Sequence, residues 1–285
     1  LGAKHVTPEA IERWKVEHGY DKPLLLNTRA TGSAQLTDTL FFQRSAAMFA
    51  FQFGKGDDGR DIGNEIRTRM GPSLAIALPV FVIGLLVNIT FALLMVFFRA
   101  TYLDLWGVVL CVVLMSISGL FYIIAGQYFI AKLWNLLPIS GYAGGIHGLK
   151  FILLPVLVSV VAGIGSGSRW YRTIFLEEIG KDYVRTARAK GLSEIRVLFR
   201  HVLKNGMIPI LTGAVVVLPL LFMGSLITES FFGIPGLGSY TIDAIQAQDF
   251  SVVRAMVFLG SFLYIVGLIL TDISYSWVDP RVRLQ

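Results

Sequence analysis

Charge is scarce in this sequence: 15% of its 285 residues are Asp, Glu, Lys or Arg, against about a quarter in ordinary soluble domains. With 54% hydrophobic residues and a mean hydropathy of +0.66, the expected solvent is a bilayer and not water. Cysteine is nearly absent. The one copy, Cys111, lies in an apolar run, which excludes an intrachain disulfide and leaves no cysteine partner for a zinc site. His5, His18, His147 and His201 are scattered without metal-ligand spacing. The chain has no phosphate loop ending in Gly-Lys-Ser/Thr, no Gly-x-Ser-x-Gly elbow and no His-Glu-x-x-His pair. ATPase, serine hydrolase and zinc protease chemistry therefore have no motif here. "GIGSGSR" from Gly163 is rich in glycine but lacks the lysine, and it reads as a closely packed or flexible helix end.

What is present is apolar length. A helix needs about 20 mainly apolar residues to cross the hydrocarbon core, and five charge-free runs qualify or nearly so: Gly71 to Phe98, Leu105 to Ala131, Phe151 to Ser168, Asn205 to Thr228 and Ala255 to Thr271. Pro79, Pro155, Pro209 and Pro219 fall inside them, where neighbouring helices can satisfy the freed backbone groups, so kinks are expected and not breaks. Asn88 and Gln127 are expected to make interhelical hydrogen bonds. Asp272 is expected near a span end. Asn88-Ile89-Thr90 fits a glycosylation pattern by chance, since it falls within a run.

The basic residues orient the bundle. The segment 169–204 carries nine Lys or Arg against Glu177, Glu178, Asp182 and Glu194, so it is expected to face the cytoplasm. Alternation then puts the turn at Arg99 and the tail with Arg281 and Arg283 inside, and the loops around Tyr142 and Pro235 outside. The net charge of +6 reflects this topology, and no nucleic acid partner is implied. Residues 1–70, with ten basic and nine acidic residues, fall outside as an extracytoplasmic region. The membrane domain is residues 71–285. An exported segment of this length needs a preceding span or signal, which the sequence from Leu1 does not contain; one further N-terminal span is expected.

Within the outer region "TPEAIERWKVEHGYDKP" reads as a short helix, with Thr7 as N-cap, Pro8 in the first turn, Gly19 at the end, and Ile11 and Trp14 on one face. "QFGKGDDGRDIGNEIRTR", Gln52 to Arg69, reads as a polar loop leading into the first span. "DYVRTARAKGLSEIRVLFRHVLKNG", Asp182 to Gly206, reads as helix, turn and helix. Lys181 to Lys190 forms the first helix, with Tyr183, Ala187 and Lys190 along one side, Gly191 is its left-handed terminus, and Ser193 caps the second. Such a hairpin is too polar to enter the bilayer, and the small residues at its bend point to a docking surface.

Here the sequence resembles the permease subunits of bacterial ABC importers, whose cytoplasmic loop carries the so-called EAA motif. Arg185, Thr186 and Ala187 occupy its three leading places and Gly191 the glycine, so two of the first three positions depart from the consensus. "YVRTARAKGLS", "RHVLKNGMIP", "ESFFGIPGLG" and "DISYSWVDPRVRL", in that order, are similar to the dipeptide, oligopeptide and nickel branch. "YDKPL" resembles its B-type subunit. The insertion "LLLNTRATGSAQLTDTLFFQRSAAMFAF" is longer than that branch leads one to expect.

The resemblance implies an all-α, polytopic membrane helical bundle of the type I ABC importer permease class, in the bacterial cytoplasmic (inner) membrane. The chain would hold no cofactor itself, with ATP and Mg on one or two partner ATPase subunits. It also implies a second homologous permease and an extracytoplasmic substrate-binding protein. The expected ATPase-coupling residues are Tyr183, Arg185, Thr186, Ala187, Gly191 and Leu192. Phe231, Pro235, Gly236 and Gly238 are expected to form an outer gate that meets the binding protein. Peptides are the first expected cargo and nickel or another small solute the alternative. A secondary transporter would need ionisable groups near the bilayer midplane, which the five runs lack, and an intramembrane enzyme would need a nucleophile and base at recognisable spacing.

Overall fold

The computed structural model describes residues 7–17, 21–28, 31–32, 34–145 and 148–278. His5, His18, Gly19, His147, Arg281, Arg283 and both chain ends lie outside these residues. Among those described, β pairing is limited to an isolated bridge between Lys55 and Asp61, and the rest is helical or irregular.

The chain divides into two compact units, residues 1–65 with 249–258 and residues 66–248 with 259–285. In the first unit, α1 (Pro8–Glu17) starts as expected, with the Thr7 carbonyl accepting from the amides of Ala10 and Ile11. The long insertion is tied to itself. Asp38 accepts from Lys22 Nζ at 2.7 Å, from Asn27 Nδ2 at 3.1 Å and from Gln43 Nε2 at 3.1 Å, and these bonds, the Lys22 one foremost, hold the Asp38 carboxyl below its ordinary pKa. Phe49 and Phe53 pack edge-on against Phe258, and Asp249 Oδ2 accepts from the Asp57 amide at 2.7 Å.

The first long helix, α2 (Ile62–Phe97), begins before the apolar run does. Asp61 Oδ1 accepts from the Asn64 amide at 2.8 Å, an N-cap that satisfies one of the orphan donors of the first turn. Residues 62–69 are therefore helical, and the glycine-rich loop is shorter than expected. A turn at Arg99 leads to α3 (Tyr102–Ser116) and α4 (Gly119–Leu133), which are bent by 88° to one another. The single run Leu105 to Ala131 is thus a broken span. Ile117 and Ser118 take extended conformations, and the Tyr122 hydroxyl donates to the Leu114 carbonyl at 2.8 Å, replacing a helical bond lost at the break.

α5 (Leu149–Ile179) continues through Pro155, α6 (Asp182–Ala189) is the short basic helix, and α7 (Glu194–Met223) continues through Pro209. The second helix of the basic segment is therefore the start of a spanning helix and no separate element. The fourth run also ends early. Pro219 opens a tight 3₁₀ turn and Gly224, at φ +67°, ends it. Leu226 to Thr228 belong instead to α8 (Leu226–Phe232), followed by α9 (Leu237–Ala247) and α10 (Phe250–Val278). Among the described residues, four helices, or five spans with the bent pair counted as one, are long and apolar enough to cross a membrane.

The second unit has two apolar cores. One joins Ile76 of α2, Ile123 and Ala131 of α4, Leu154 to Val160 of α5, and Phe232 and Ile234 beyond α8. The other joins Ile89 to Val96 of α2, Phe175 and Ile179 of α5, Val184 and Ala187 of α6, and Val197 to Ile210 of α7. Along α5 the two are about 28 Å apart, counting Val156 to Phe175 at a rise of about 1.5 Å per residue. Between them helices meet through small residues. A Cβ on Gly165 of α5 would lie 2.6 Å from the Cys111 carbonyl of α3, so only glycine permits this approach. Ser168 Oγ donates to Asn88 Oδ1 at 2.9 Å, the interhelical bond expected of that amide. Arg172 closes a paired contact on Asp104, at 3.0 and 2.7 Å, between α5 and α3.

Gly163, one turn fraction away on α5, has open space where its Cβ would sit. Gly165→Ala should therefore destabilise the purified protein by about 1–3 kcal/mol through overpacking, whereas Gly163→Ala should be neutral or stabilising by up to about 1 kcal/mol through helix propensity. Thermal unfolding of the two variants in one detergent checks this, and equal melting points would refute close packing at Gly165.

Candidate functional site

Each core holds one irregular hairpin, and the sequence-derived candidates fall on these two. In the basic hairpin, α6 turns its buried face inward through Val184, fully buried, and Ala187. Burying a valine outside the bilayer stabilises by about 1.5–3 kcal/mol, enough to fix the orientation of so short a helix. Tyr183 and Leu192 pack on the same core. The buried side is thus Tyr183, Val184 and Ala187, with Lys190 exposed, and not the Tyr183, Ala187, Lys190 line. Tyr183 donates its hydroxyl to Glu178 Oε2, and Lys181 Nζ lies 2.6 Å from Glu178 Oε1. Burial, and then the Glu178 carboxylate, push the Tyr183 phenol up to about 12, so it remains a donor at physiological pH.

Arg185 and Thr186 face outward, and Gly191 ends the helix at φ +77° with the Leu192 amide donating to the Ala187 carbonyl at 3.3 Å. This is the left-handed terminus expected of the glycine. Ser193 takes the extended N-cap conformation, but its side chain makes no capping bond. The charge at this bend is borne by Glu194, whose carboxylate accepts from Arg188 Nε and Nη2 at 3.0 and 2.7 Å and from Arg99 Nη1 at 3.2 Å. Hydrogen bonding to Glu194 holds the Arg188 guanidinium above its ordinary pKa. Of the six coupling candidates, the structure thus places Tyr183, Ala187 and Leu192 on the bundle side and Arg185, Thr186 and Gly191 on the accessible side.

The glycine-rich hairpin, Gly224 to Ser239, is organised by a residue that motif reading passed over. Glu229 of α8 is 1% exposed. Its carboxylate accepts from the amides of Gly238 at 2.7 Å, Ser239 at 3.1 Å and Ser225 at 3.2 Å. Two of these amides open α9, where the helix dipole also favours an anion. Ser73 of α2 accepts from the Leu237 amide at 2.8 Å and is hydrogen-bonded to Glu229. A Cβ on Gly224 or Gly236 would collide with the carboxylate, and one on Gly238 would lie 2.6 Å from the Ser225 carbonyl. Gly236 and Gly238 are therefore buried packing positions, whereas Phe231 and Pro235 are exposed. Gln127 Nε2 donates to the carbonyls of Phe231 and Ile139 at 3.0 and 3.1 Å, and the Gly141 amide donates to the Phe232 carbonyl at 2.8 Å. The signal for Glu229 was a lone acidic residue ahead of three glycines whose amides could receive it.

Beside this hairpin lies a cavity of about 630 Å³. Its wall is mostly aliphatic, with Phe81, and is dotted with the hydroxyls of Ser73, Ser118, Ser159, Ser225 and Thr228. Among the described residues lining it Glu229 is the one ionisable group, and its oxygens are engaged by the amides. The broken span contributes Ser118 and Gly119, placing irregular backbone beside the cavity, where it is tolerated.

Helices long and apolar enough to cross a membrane, one pair of them bent, hold a polar hairpin against one core and a glycine-rich hairpin against the other, the architecture of a multi-pass membrane protein. Residues 72–284 match the family of binding-protein-dependent transport system inner membrane components, and the chain belongs to that family, as a multi-pass permease subunit of an ABC importer in the inner membrane. It is 31% identical over 283 residues to a protein of Brucella abortus strain 2308 named as a peptide transport system permease, covering 97% of this chain and 86% of that one. It is 38% identical over 138 residues to the dipeptide transport system permease protein DppB of Escherichia coli K12, covering 48% of this chain and 41% of that one. Among solved structures, an amino acid ABC transporter crystallised with histidines shares the fold at a TM-score of 0.53 and 12% identity, covering 84% of this chain and 97% of that chain.

Removing the Glu229 carboxylate strands three amide donors, at roughly 1–3 kcal/mol for each one left unsatisfied. Glu229→Ala should raise amide hydrogen exchange across residues 225–239 by at least an order of magnitude while leaving that of α6 unchanged. Exchange measured by mass spectrometry in nanodiscs decides this, and unaltered protection at residues 225–239 would show that the carboxylate does not hold the hairpin.

Proposed function

We propose that this chain forms, with a second homologous permease, the pathway by which peptides delivered by an extracytoplasmic binding protein cross the membrane. ATP and Mg act on one or two separate cytoplasmic ATPase subunits. The observation that carries the reading is the α6 hairpin: its apolar side is fixed in a core between spanning helices while Arg185, Thr186 and Gly191 are left accessible. A rigid element of that kind is what a soluble motor needs to move membrane helices. Two relatives named as peptide and dipeptide transport permeases support peptides as cargo. The cavity wall supports them too. Aliphatic groups and hydroxyls without a free charge present no fixed counter-charge that would select one side-chain type, which suits a peptide pathway.

In this reading residues 1–70 face outward, segment 169–204 and the C-terminus face the cytoplasm, and residues 231–238 close the pathway from outside and meet the binding protein. A cysteine introduced at Ser193 should react with a membrane-impermeant reagent in inverted vesicles and not in intact cells; the opposite pattern would reverse the orientation. In proteoliposomes of the complete importer, uptake of a labelled peptide should require ATP on the hairpin side and the binding protein on the other. Uptake of nickel but of no peptide would overturn the peptide assignment.

Gly191 gives a sharper test of the hairpin's role. Nothing lies within 4 Å of where its Cβ would sit, so a substitution there meets only the left-handed backbone cost of about 1–2 kcal/mol. Gly191→Val should leave assembly of the two permeases intact while weakening ATPase docking or uncoupling hydrolysis from uptake. Bound ATPase, stimulated hydrolysis and uptake at wild-type levels in this variant would reduce the loop to a topology signal.

A further inference from the structure

We infer that Glu194 is a positioning residue that clamps the α6 hairpin to the end of α2, so that displacement of α6 by its partner is delivered to α2 through Arg99. This deepens the reading of α6 as the ATPase-facing element and rests on it. The clamp has three members from three places in the chain: Arg188 on α6, Glu194 at the first residue of α7 and Arg99 in the turn that closes α2. Arg188 meets both carboxylate oxygens through Nε and Nη2, at 3.0 and 2.7 Å. That planar, two-point contact fixes direction as well as distance. Arg99 Nη1 adds a third contact at 3.2 Å on Oε1. The three side chains are about one-third exposed.

Apolar packing alone would not do this work. Val184 and Ala187 keep α6 seated in the core, but contacts between aliphatic groups are non-directional and allow a short helix to slide or roll. The ion triad resists that motion. It also explains why two arginines three positions apart on one helix differ. Arg188 is held by Glu194, whereas Arg185 points outward with a loose contact of 3.5 Å to Asp182 and is free to meet a partner. Further along α2 lies Ser73, which accepts from the Leu237 amide at the head of α9. From Ser73 to Phe97 is about 36 Å at a rise of about 1.5 Å per residue. One continuous helix thus runs from the clamp to the glycine-rich hairpin.

The test uses the complete importer in proteoliposomes, with bound ATPase, basal hydrolysis and peptide taken up per ATP hydrolysed measured for the wild type, Arg99→Gln, Arg99→Lys, Glu194→Gln and the double variant Arg99→Gln/Glu194→Gln. Arg99→Gln lies outside the hairpin and decides the matter if Glu194→Gln does not assemble. Expected are stoichiometric ATPase and unchanged basal hydrolysis in Arg99→Gln, with uptake per ATP reduced about fivefold or more, the range of ordinary coupling energies. Arg99→Lys should retain wild-type uptake per ATP, because one contact needs one cation, and the double variant should lose little beyond Glu194→Gln alone. Wild-type uptake per ATP in Arg99→Gln would overturn the inference. So would loss of bound ATPase in Arg99→Gln, which would make the triad a docking element. A wild-type complex that retains no ATPase would instead remove the reading on which the inference rests.

Discussion

A carboxylate buried among backbone amides sets the constraint from which the glycine-rich half of this membrane domain follows. A carboxyl group held away from water requires hydrogen-bond partners, and Glu229 finds them in three amides and one hydroxyl. To bring those donors within reach, α7 has to stop, the chain has to double back at Gly224, and α9 has to begin with its first amides aimed at the same point. Glycine at 224, 236 and 238 is then a steric necessity, since side chains at the first two would occupy the space of the carboxylate and one at the third would press on the Ser225 carbonyl. Ser73 carries the constraint across to α2.

The basic hairpin obeys a different logic. Its charges are divided between those held internally and those left outward, and the division follows the burial of Val184 and Ala187. Glu178 and Glu194 each collect two donors. In a segment with an excess of cations, these two acids decide which of the basic and phenolic groups are fixed. The outward remainder includes Arg185, which stands in a place where the family pattern has an acidic residue.

Much of the architecture was legible in the sequence because the bilayer imposes a length and a polarity on every span. The membrane class and the number of apolar runs followed from that, whereas the family followed from the resemblance of four motifs in order, from "YVRTARAKGLS" to "DISYSWVDPRVRL". Gly191 was legible because a glycine after a helical stretch and before Ser-Glu has few other uses. Other features depended on facts with no local trace. The break at Ile117 and Ser118 falls in a charge-free run whose only trace of it is Ser116, Ser118 and Gly119, and what compensates for it is the hydroxyl of Tyr122, eight residues from the carbonyl it reaches. The start of α2 was hidden by its own glycine and charges, although Asp61 three residues before Asn64 was an N-cap signal. Glu229 looked like a stray acid in an apolar neighbourhood until the amides 9 and 10 residues later folded onto it. The side of α6 that a core receives had no assignment from the sequence, and it runs through Val184 and Ala187 with Lys190 exposed.

The two apolar cores have a mechanical meaning. α5 is gripped twice, from Leu154 to Val160 and again at Phe175 and Ile179, and α2 is gripped at Ile76 and again from Ile89 to Val96. A rod held at one place can twist freely at its other end; a rod keyed at both cannot turn at one without turning at the other. In the coupling proposed above, torque applied at the basic end would therefore arrive at the glycine-rich end as rotation of the wall.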